Sequence, residues 1–326
     1  MGIFGKMRAA SGSGVSVVQS RVSDLSASLA GLTVKPCFVV GFVSPHVDID
    51  GVAEIIKRAF PSVPMMLSST AGELCSSPGG LYCSTGQSWD RVVLLCFDSS
   101  LLAGVRLAAV PLGSEDLRQS GVAAPIDERV SRIARNIEGV AVDMEIDHRD
   151  TLAYVMIDGL SSSESFFMEA LYESGHFPCL FVGGSAGGKF DFKNTWLHDG
   201  RRRLENHALI AFLKMAPAVR FGVFKSQNFE ATPTVFHVIK ASLMRRYVSH
   251  VIDASGRLVG FIDALCQKLA CRPQELEEKL AEYSFAIRVG KELFVRSISR
   301  IDTESGRVHF YCDIAPGEEL VLVRRT

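Results

Sequence analysis

Residues 179–213 read CLFVGGSAGGKFDFKNTWLHDGRRRLENHALIAFL, and this stretch decides the fold. An apolar run from Cys179 to Val182 enters Gly183-Gly184-Ser185-Ala186-Gly187-Gly188, and a second apolar run opens at Asn206-His207, 18 residues beyond Gly188. Four glycines among six residues at a strand end predict a special loop, since glycine takes positive φ and lets a ligand or another backbone come close. That loop is expected to rim a pocket. A tight reversal between two sheet strands is the other reading of the same residues.

Upstream, the continuous apolar run CFVVGFV at 37–43 is a strand ended by Ser44-Pro45-His46. Asp48 can cap a helix running to Phe60, whose Val52, Ile55, Ile56 and Phe60 share one face, and 65–67 forms the next strand of a β-α-β unit. This strand runs into Ser68-Ser69-Thr70-Ala71-Gly72-Glu73-Leu74-Cys75, a second small-residue loop. Open α/β sheets place ligands beyond the carboxyl ends of their strands. The two loops therefore define a candidate ligand pocket of Thr70, Gly72, Gly183, Gly184, Ser185 and Gly187, with a purely structural turn as the alternative.

Val18, Val22, Leu25, Leu29 and Leu32 recur at helical spacing, which predicts a helix over 15–32. Strands are expected at 91–97 and 102–110 with a Ser-rich turn between them, an amphipathic helix at 126–137 and a strand at 152–157. Ser161 with Glu164 makes a capping-box pattern for a helix to about residue 171. Beyond Leu213 the pattern shifts to strands at 221–224, 235–239 and 247–252, then helices at 258–269 and after Arg272-Pro273. Strands close the chain at 284–288, 293–299, 307–312 and 319–323. The expected organisation is an N-terminal segment and helix (1–34), a first domain (35–216) and a second (217–326). The fold class is α/β to α+β, with mixed twisted β-sheets flanked by helices.

The 326 residues carry 47% hydrophobic and 22% charged side chains, enough apolar material for large cores. With 35 Lys and Arg against 36 Asp and Glu, the net charge of -1 provides no field for nucleic acid or an acidic membrane. No signal-peptide core opens the chain and no apolar run is long enough to span a bilayer, so a cytoplasmic location without membrane insertion is expected. Eight scattered cysteines include no C-x-x-C pair, which leaves zinc-ribbon, thioredoxin-like and c-type haem chemistry unsupported.

The SSTAGEL segment at 68–74, following a β-α-β unit that opens FVSPHVD, resembles the N-terminal half of FIST proteins. YVSHVIDASGRLVGFIDAL at 247–265, ELFVRSISRID at 292–302 and HFYCDIAPGEELVLV at 309–323 resemble the FIST C-terminal half. Together the two halves cover roughly residues 35–324, several weak motifs in the correct order. The resemblance implies ligand sensing in signal transduction, without catalysis. FVGGSAGGKFDFKNTWLHDG at 181–200 and FGVFKSQNF at 221–229 are similar to NosP-type members. That narrower likeness implies haem b as cofactor, nitric oxide as the sensed molecule and a sensor histidine kinase as partner.

Haem b needs an axial donor, usually an imidazole, among apolar groups. His207 is the first candidate for cofactor binding and metal ligation, because on a strand it shares a face with Leu209, Ala211 and Leu213. His198, on the same face as Trp196, is the second. For either, a hydrogen-bonded core histidine is the competing reading. If His207 is the ligand, a Ser, Asn or Asp partner should fix its ring. Without haem, the pocket could take an amino acid or another small metabolite through Ser185, Thr70 and backbone N–H groups.

Enzymatic chemistry offers one alternative. Gly183-Gly184-Ser185-Ala186-Gly187 fits G-x-S-x-G, and Asp253 and His309 follow in α/β-hydrolase order. A nucleophile elbow feeds a helix, however, and 189–196 alternates polar and aromatic residues as an extended segment does. Zinc could use Cys75 with Cys83 or Cys266 with Cys271, although neither pair has the usual two-residue gap. A solely adaptor role through the charged helix pair at 258–282 is the remaining reading.

Overall fold

The computed structural model describes residues 14–77, 80–83, 88–118, 124–189, 191–253 and 255–326. The expected N-terminal segment therefore lies outside the described residues as far as residue 13. Two compact units divide the chain, Met1–Gly222 and Val223–Thr326.

In the first unit the elements run β1 (Val15–Arg21), α1 (Leu25–Ala30), β2 (Phe38–Val43), α2 (Ile49–Ala59), β3 (Met65–Ser69), β4 (Leu74–Ser77), β5 (Gly80–Tyr82), β6 (Arg91–Phe97) and β7 (Leu102–Pro111). They continue with α3 (Glu115–Arg118), α4 (Ile126–Glu138), β8 (Thr151–Asp158), α5 (Glu164–Ser174), β9 (Leu180–Ala186), β10 (Leu197–His198), β11 (Arg203–Leu204) and β12 (His207–Met215). One sheet has the order β1-β6-β2-β3-β10-β11 and a second the order β7-β12-β8-β9, while β4 and β5 pair as a hairpin. β2 runs parallel to β3, and β8 parallel to β9. The expected β-α-β unit is present, with Asp48 capping α2 by accepting from the Asp50 and Gly51 N–H groups at 3.2 Å.

Alternation on the strands explains how the layers stack. Phe38, Val40 and Met66 of the first sheet pack with Met156, Leu209 and Ala211 of the second, so these two faces share one core. Val39, Val43 and Leu67 point the other way, onto Leu25 and Leu29 of α1 and Val52 and Ile56 of α2. On the far side of the second sheet, Phe212 of β12 meets the Phe177 ring at 4.7 Å.

The second unit holds β13 (Phe229–Ser242), β14 (Tyr247–Ile252), β15 (Leu258–Gly260), α6 (Phe261–Leu269), α7 (Leu276–Lys279), β16 (Tyr283–Val289), β17 (Glu292–Arg296), β18 (Ile298–Asp302), β19 (Arg307–Phe310) and β20 (Glu319–Arg325). Their antiparallel sheet has the order β17-β16-β20-β13-β14-β19-β18, with β15 on β14. Phe236, Phe261, Phe285 and Phe310 form its aromatic core under α6 and α7.

Several expectations need correction. The 15–32 helix is strand β1 followed by the short α1: Val18, Leu25 and Leu29 do enter one core, but residues 15–21 take up the edge of β6 instead of continuing a helix. Gly183, Gly184 and Ser185 belong to β9, hydrogen-bonded to β8, so the loop proper starts only at Gly187. Residues 221–224 form no strand, and Phe224 is 89% exposed. The helix expected from Leu258 starts at Phe261, because residues 258–260 pair with β14. Ser161 does not cap α5; its hydroxyl accepts from the Ser163 N–H, and Glu164 turns toward β9. β6 and β7, joined by the serine-containing turn, belong to different sheets.

Candidate functional site

The carboxyl ends of both parallel strand pairs lie in the first unit, and the chain between β9 and β12 ties them together. The Gly187 N–H donates to the Ser69 carbonyl at 3.0 Å, and the Ser69 hydroxyl donates to the Gly187 carbonyl at 2.7 Å. The Trp196 N–H donates to the Ser69 hydroxyl at 2.8 Å, and the Ser69 N–H to the Trp196 carbonyl at 2.9 Å. Only glycine permits this approach at position 187, because a Cβ there would stand 2.6 Å from the Ala71 nitrogen. The two small-residue corners thus meet along a hydrogen-bonded seam.

Thr70 and Gly187 are brought together at this seam, and Gly72 follows on the same corner. Thr70 donates its hydroxyl to Glu73 Oε1 at 2.6 Å and accepts from the Gly72 N–H at 3.3 Å. Gly72 is exposed at φ +148, a conformation that favours glycine. Gly183 and Gly184 sit on β9 instead. A Cβ on Gly183 would collide with the Val155 carbonyl, whereas one on Gly184 would meet nothing. Ser185 is exposed and donates to Glu164 Oε1 at 2.9 Å.

Next to Thr70 lies a polar row that sequence reasoning missed. The Ser44 N–H donates to the Arg91 carbonyl at 3.0 Å, and the Thr70 N–H to the Val43 carbonyl at 3.0 Å. Arg91, Ser44 and Thr70 are consequently neighbours across β6, β2 and β3. Two-residue periodicity places all three on the face that carries Phe38, Val40 and Met66, the face turned to the second sheet. Glu73 closes over them with 4% of its surface exposed, and Ser44 is fully buried. Ser44 Oγ, Glu73 Oε2 and Arg91 Nε have no hydrogen-bond partner among the described residues. Burial pushes the Glu73 carboxyl above its ordinary range, against the smaller opposing pulls of the Thr70 hydroxyl, its own N–H and the Arg91 charge. The signal in the sequence was a lone Glu inside a small-residue corner and an Arg opening an apolar strand. Their convergence depends on strand register, which no local pattern carries.

A second network centres on buried Asp158 at the end of β8. Its carboxylate accepts from the Thr195 hydroxyl, from the Asn206 N–H and, at 3.1 Å, from the Leu160 N–H. Asn206, at φ +55, bonds Ser114 and Glu115 through its side chain. This network fixes the entry to β12 and with it His207.

The two candidate histidines differ in what they leave open. His198 is 4% exposed, its Nδ1 accepts from the Gly200 N–H at 2.9 Å, and its Nε2 faces Asp50 Oδ1 at 3.4 Å. Both ring nitrogens are engaged, so His198 does not fit an axial ligand. Burial lowers its pKa despite Asp50, and it stays neutral at pH 7. His207 is half-buried with Nδ1 held by the Glu205 carbonyl at 2.6 Å. That bond orients the ring and leaves Nε2 as a donor atom, which fits a single axial ligand. The anchor is a backbone carbonyl, where a Ser, Asn or Asp side chain was expected.

Among the described residues, those named for hydrolase and zinc chemistry are engaged elsewhere or only paired. Ser185 lies within a strand and its hydroxyl points to Glu164, while the Asp253 carboxylate is taken up by Ser255 and Arg257 and His309 Nε2 meets Arg300 at 3.2 Å. A nucleophile elbow and triad are therefore not built from these residues. No three His, Cys, Asp or Glu side chains among the described residues gather as a metal site, which leaves Cys75 with Cys83 and Cys266 with Cys271 as bare pairs. The cysteines form no disulfide among the described residues. No described helix is long and apolar enough to cross a membrane.

A family model described as the FIST N domain matches residues 37–253, two-thirds of the chain. The chain belongs to the FIST family. The FIST C domain model matches residues 262–326, and FIST domains are in general sensor domains of signal transduction. The FIST N match runs past the structural division at Gly222 and takes in β13 and β14, which are built into the sheet of the second unit. No curated protein matches this chain. These matches reach the family and stop short of the NosP-type likeness.

Proposed function

We propose that this FIST protein senses a small molecule at the corner where β3 meets the loop after β9, and that the bound state alters a partner histidine kinase. One observation carries the reading: three buried polar atoms without partners among the described residues lie beside Thr70, at the carboxyl ends of a parallel strand pair. The seam through Ser69 and Gly187 supplies the output. It links the ligand corner of one sheet to β9 of the other, so a guest that favours one seam geometry shifts both sheets. A kinase responds only if it distinguishes the two geometries. Equilibrium dialysis of the purified chain against a small-molecule extract, read by mass spectrometry, tests this. The chain should enrich a compound and Gly187→Ala should release it; no enrichment by the unmutated chain contradicts the reading.

A second reading has its own observation, the open Nε2 of His207 beside an anchored Nδ1. His207 would hold haem b, whose iron supplies the binding chemistry for nitric oxide. The chain's own part is to orient the imidazole through the Glu205 carbonyl and the Asp158–Asn206 network. Haem added to the purified chain should give a sharp Soret band that His207→Ala abolishes and His198→Ala retains. A band unaffected by His207→Ala rejects the assignment.

A further inference from the structure

We infer that the row formed by Arg91, Ser44 and Glu73 recognises a neutral group carrying a hydrogen-bond donor beside an acceptor, a primary carboxamide. This rests on the small-molecule reading above and names the ligand class. Ser44 and Arg91 are cross-strand neighbours, about 4.5–5.5 Å apart, and Glu73 is held to Thr70 on the adjoining corner. Arg91 Nε offers a donor, Glu73 Oε2 an acceptor, and Ser44 Oγ either. Glu73 Oε1 is already occupied by the Thr70 hydroxyl, which fixes the carboxyl and leaves Oε2 to the guest.

The complement of this set is one carbonyl oxygen, for Arg91 and Ser44, and one N–H, for Glu73. A carboxylate offers no proton to Glu73. An ammonium offers nothing to Arg91. A zwitterion satisfies both, but it must lose the hydration of two full charges at a place where the protein atoms themselves are shielded from solvent. A neutral amide meets the same partners at lower desolvation cost.

The Ser44 hydroxyl is fully buried with no partner among the described residues, so in the ligand-free chain its presence costs stability that alanine would restore.

Isothermal titration of the full chain with acetamide, N,N-dimethylacetamide and glycine tests the inference. Acetamide should bind, and N,N-dimethylacetamide, which lacks an N–H, should not. Glu73→Gln places a second donor opposite the amide and should weaken acetamide about tenfold or more. Ser44→Ala should weaken acetamide while raising the thermal midpoint of the free chain. Glycine binding at these residues in place of acetamide overturns the amide class and leaves the sensor reading standing. Acetamide binding that both variants leave unchanged overturns the site. No acetamide binding by a chain that still enriches a compound in dialysis overturns the inference alone, whereas failure of both removes the sensor reading too.

Discussion

Gly183 and Gly184 are adjacent on β9 and were indistinguishable as sequence, yet their surroundings separate them completely. A Cβ at Gly183 would drive into the Val155 carbonyl, and one at Gly184 would enter open space. Gly183→Ala should cost about 1–3 kcal/mol or more by denaturant unfolding, and Gly184→Ala less than about 0.5 kcal/mol. Two buried ionisable groups give opposite pH signatures. His198 has its pKa lowered by burial, so the stability it contributes is present above its ordinary 6.5 and is lost as pH falls through the lowered value. Glu73 has its pKa raised, so the folded state holds its proton more tightly, and stability falls as pH rises from 4.5 through the raised value. His198→Gln should flatten the acid-side slope of the unfolding midpoint, and Glu73→Gln the slope above pH 4.5. Slopes unchanged in both variants contradict these environments.

At the scale of elements, the seam is the feature that couples the sheets of the first unit. Gly187→Ala pushes a Cβ against the Ala71 nitrogen and should break the Ser69 pairings, exposing the Gly187, Ser69 and Trp196 amides to faster hydrogen exchange while distant β12 amides stay protected. How much of this was legible follows from how local each signal is. The Asp48 cap and the β2-α2-β3 unit were readable because cap chemistry and helical spacing act within a few residues. β9 was not, since glycine content argues for a loop locally and its strand state comes from pairing with β8, some 28 residues away at Val155–Gly183. The departure from a helix over 15–32 has the same origin: Val18 enters the core from a strand, which only pairing with β6, far along the chain, specifies. Thr70 and Gly187 were legible as residues of two strand-end corners because small residues at strand ends are themselves the signal. Ser44, Glu73 and Arg91 come from three segments that only register brings together.

For the whole molecule, the family models and the structural units divide the chain differently, and the structure makes a choice between them. β13 pairs with β20 and β14 with β19, so a fragment cut after residue 253 loses the centre of its sheet. Residues 223–326 should fold cooperatively when expressed alone and residues 254–326 should not, as read by near-ultraviolet circular dichroism. Within that unit, Phe285 touches Phe236, Phe261 and Phe310, and Phe285→Ala should cost about 3–5 kcal/mol. The first unit carries the seam and both parallel strand pairs, and the proposed sensing site lies within it. The most direct measurement is chemical-shift mapping of the isotope-labelled chain during titration with the compound that dialysis enriches. Perturbations should centre on Ser44, Thr70, Glu73, Arg91 and Gly187; perturbations centred on Glu205 and His207 instead would contradict the account.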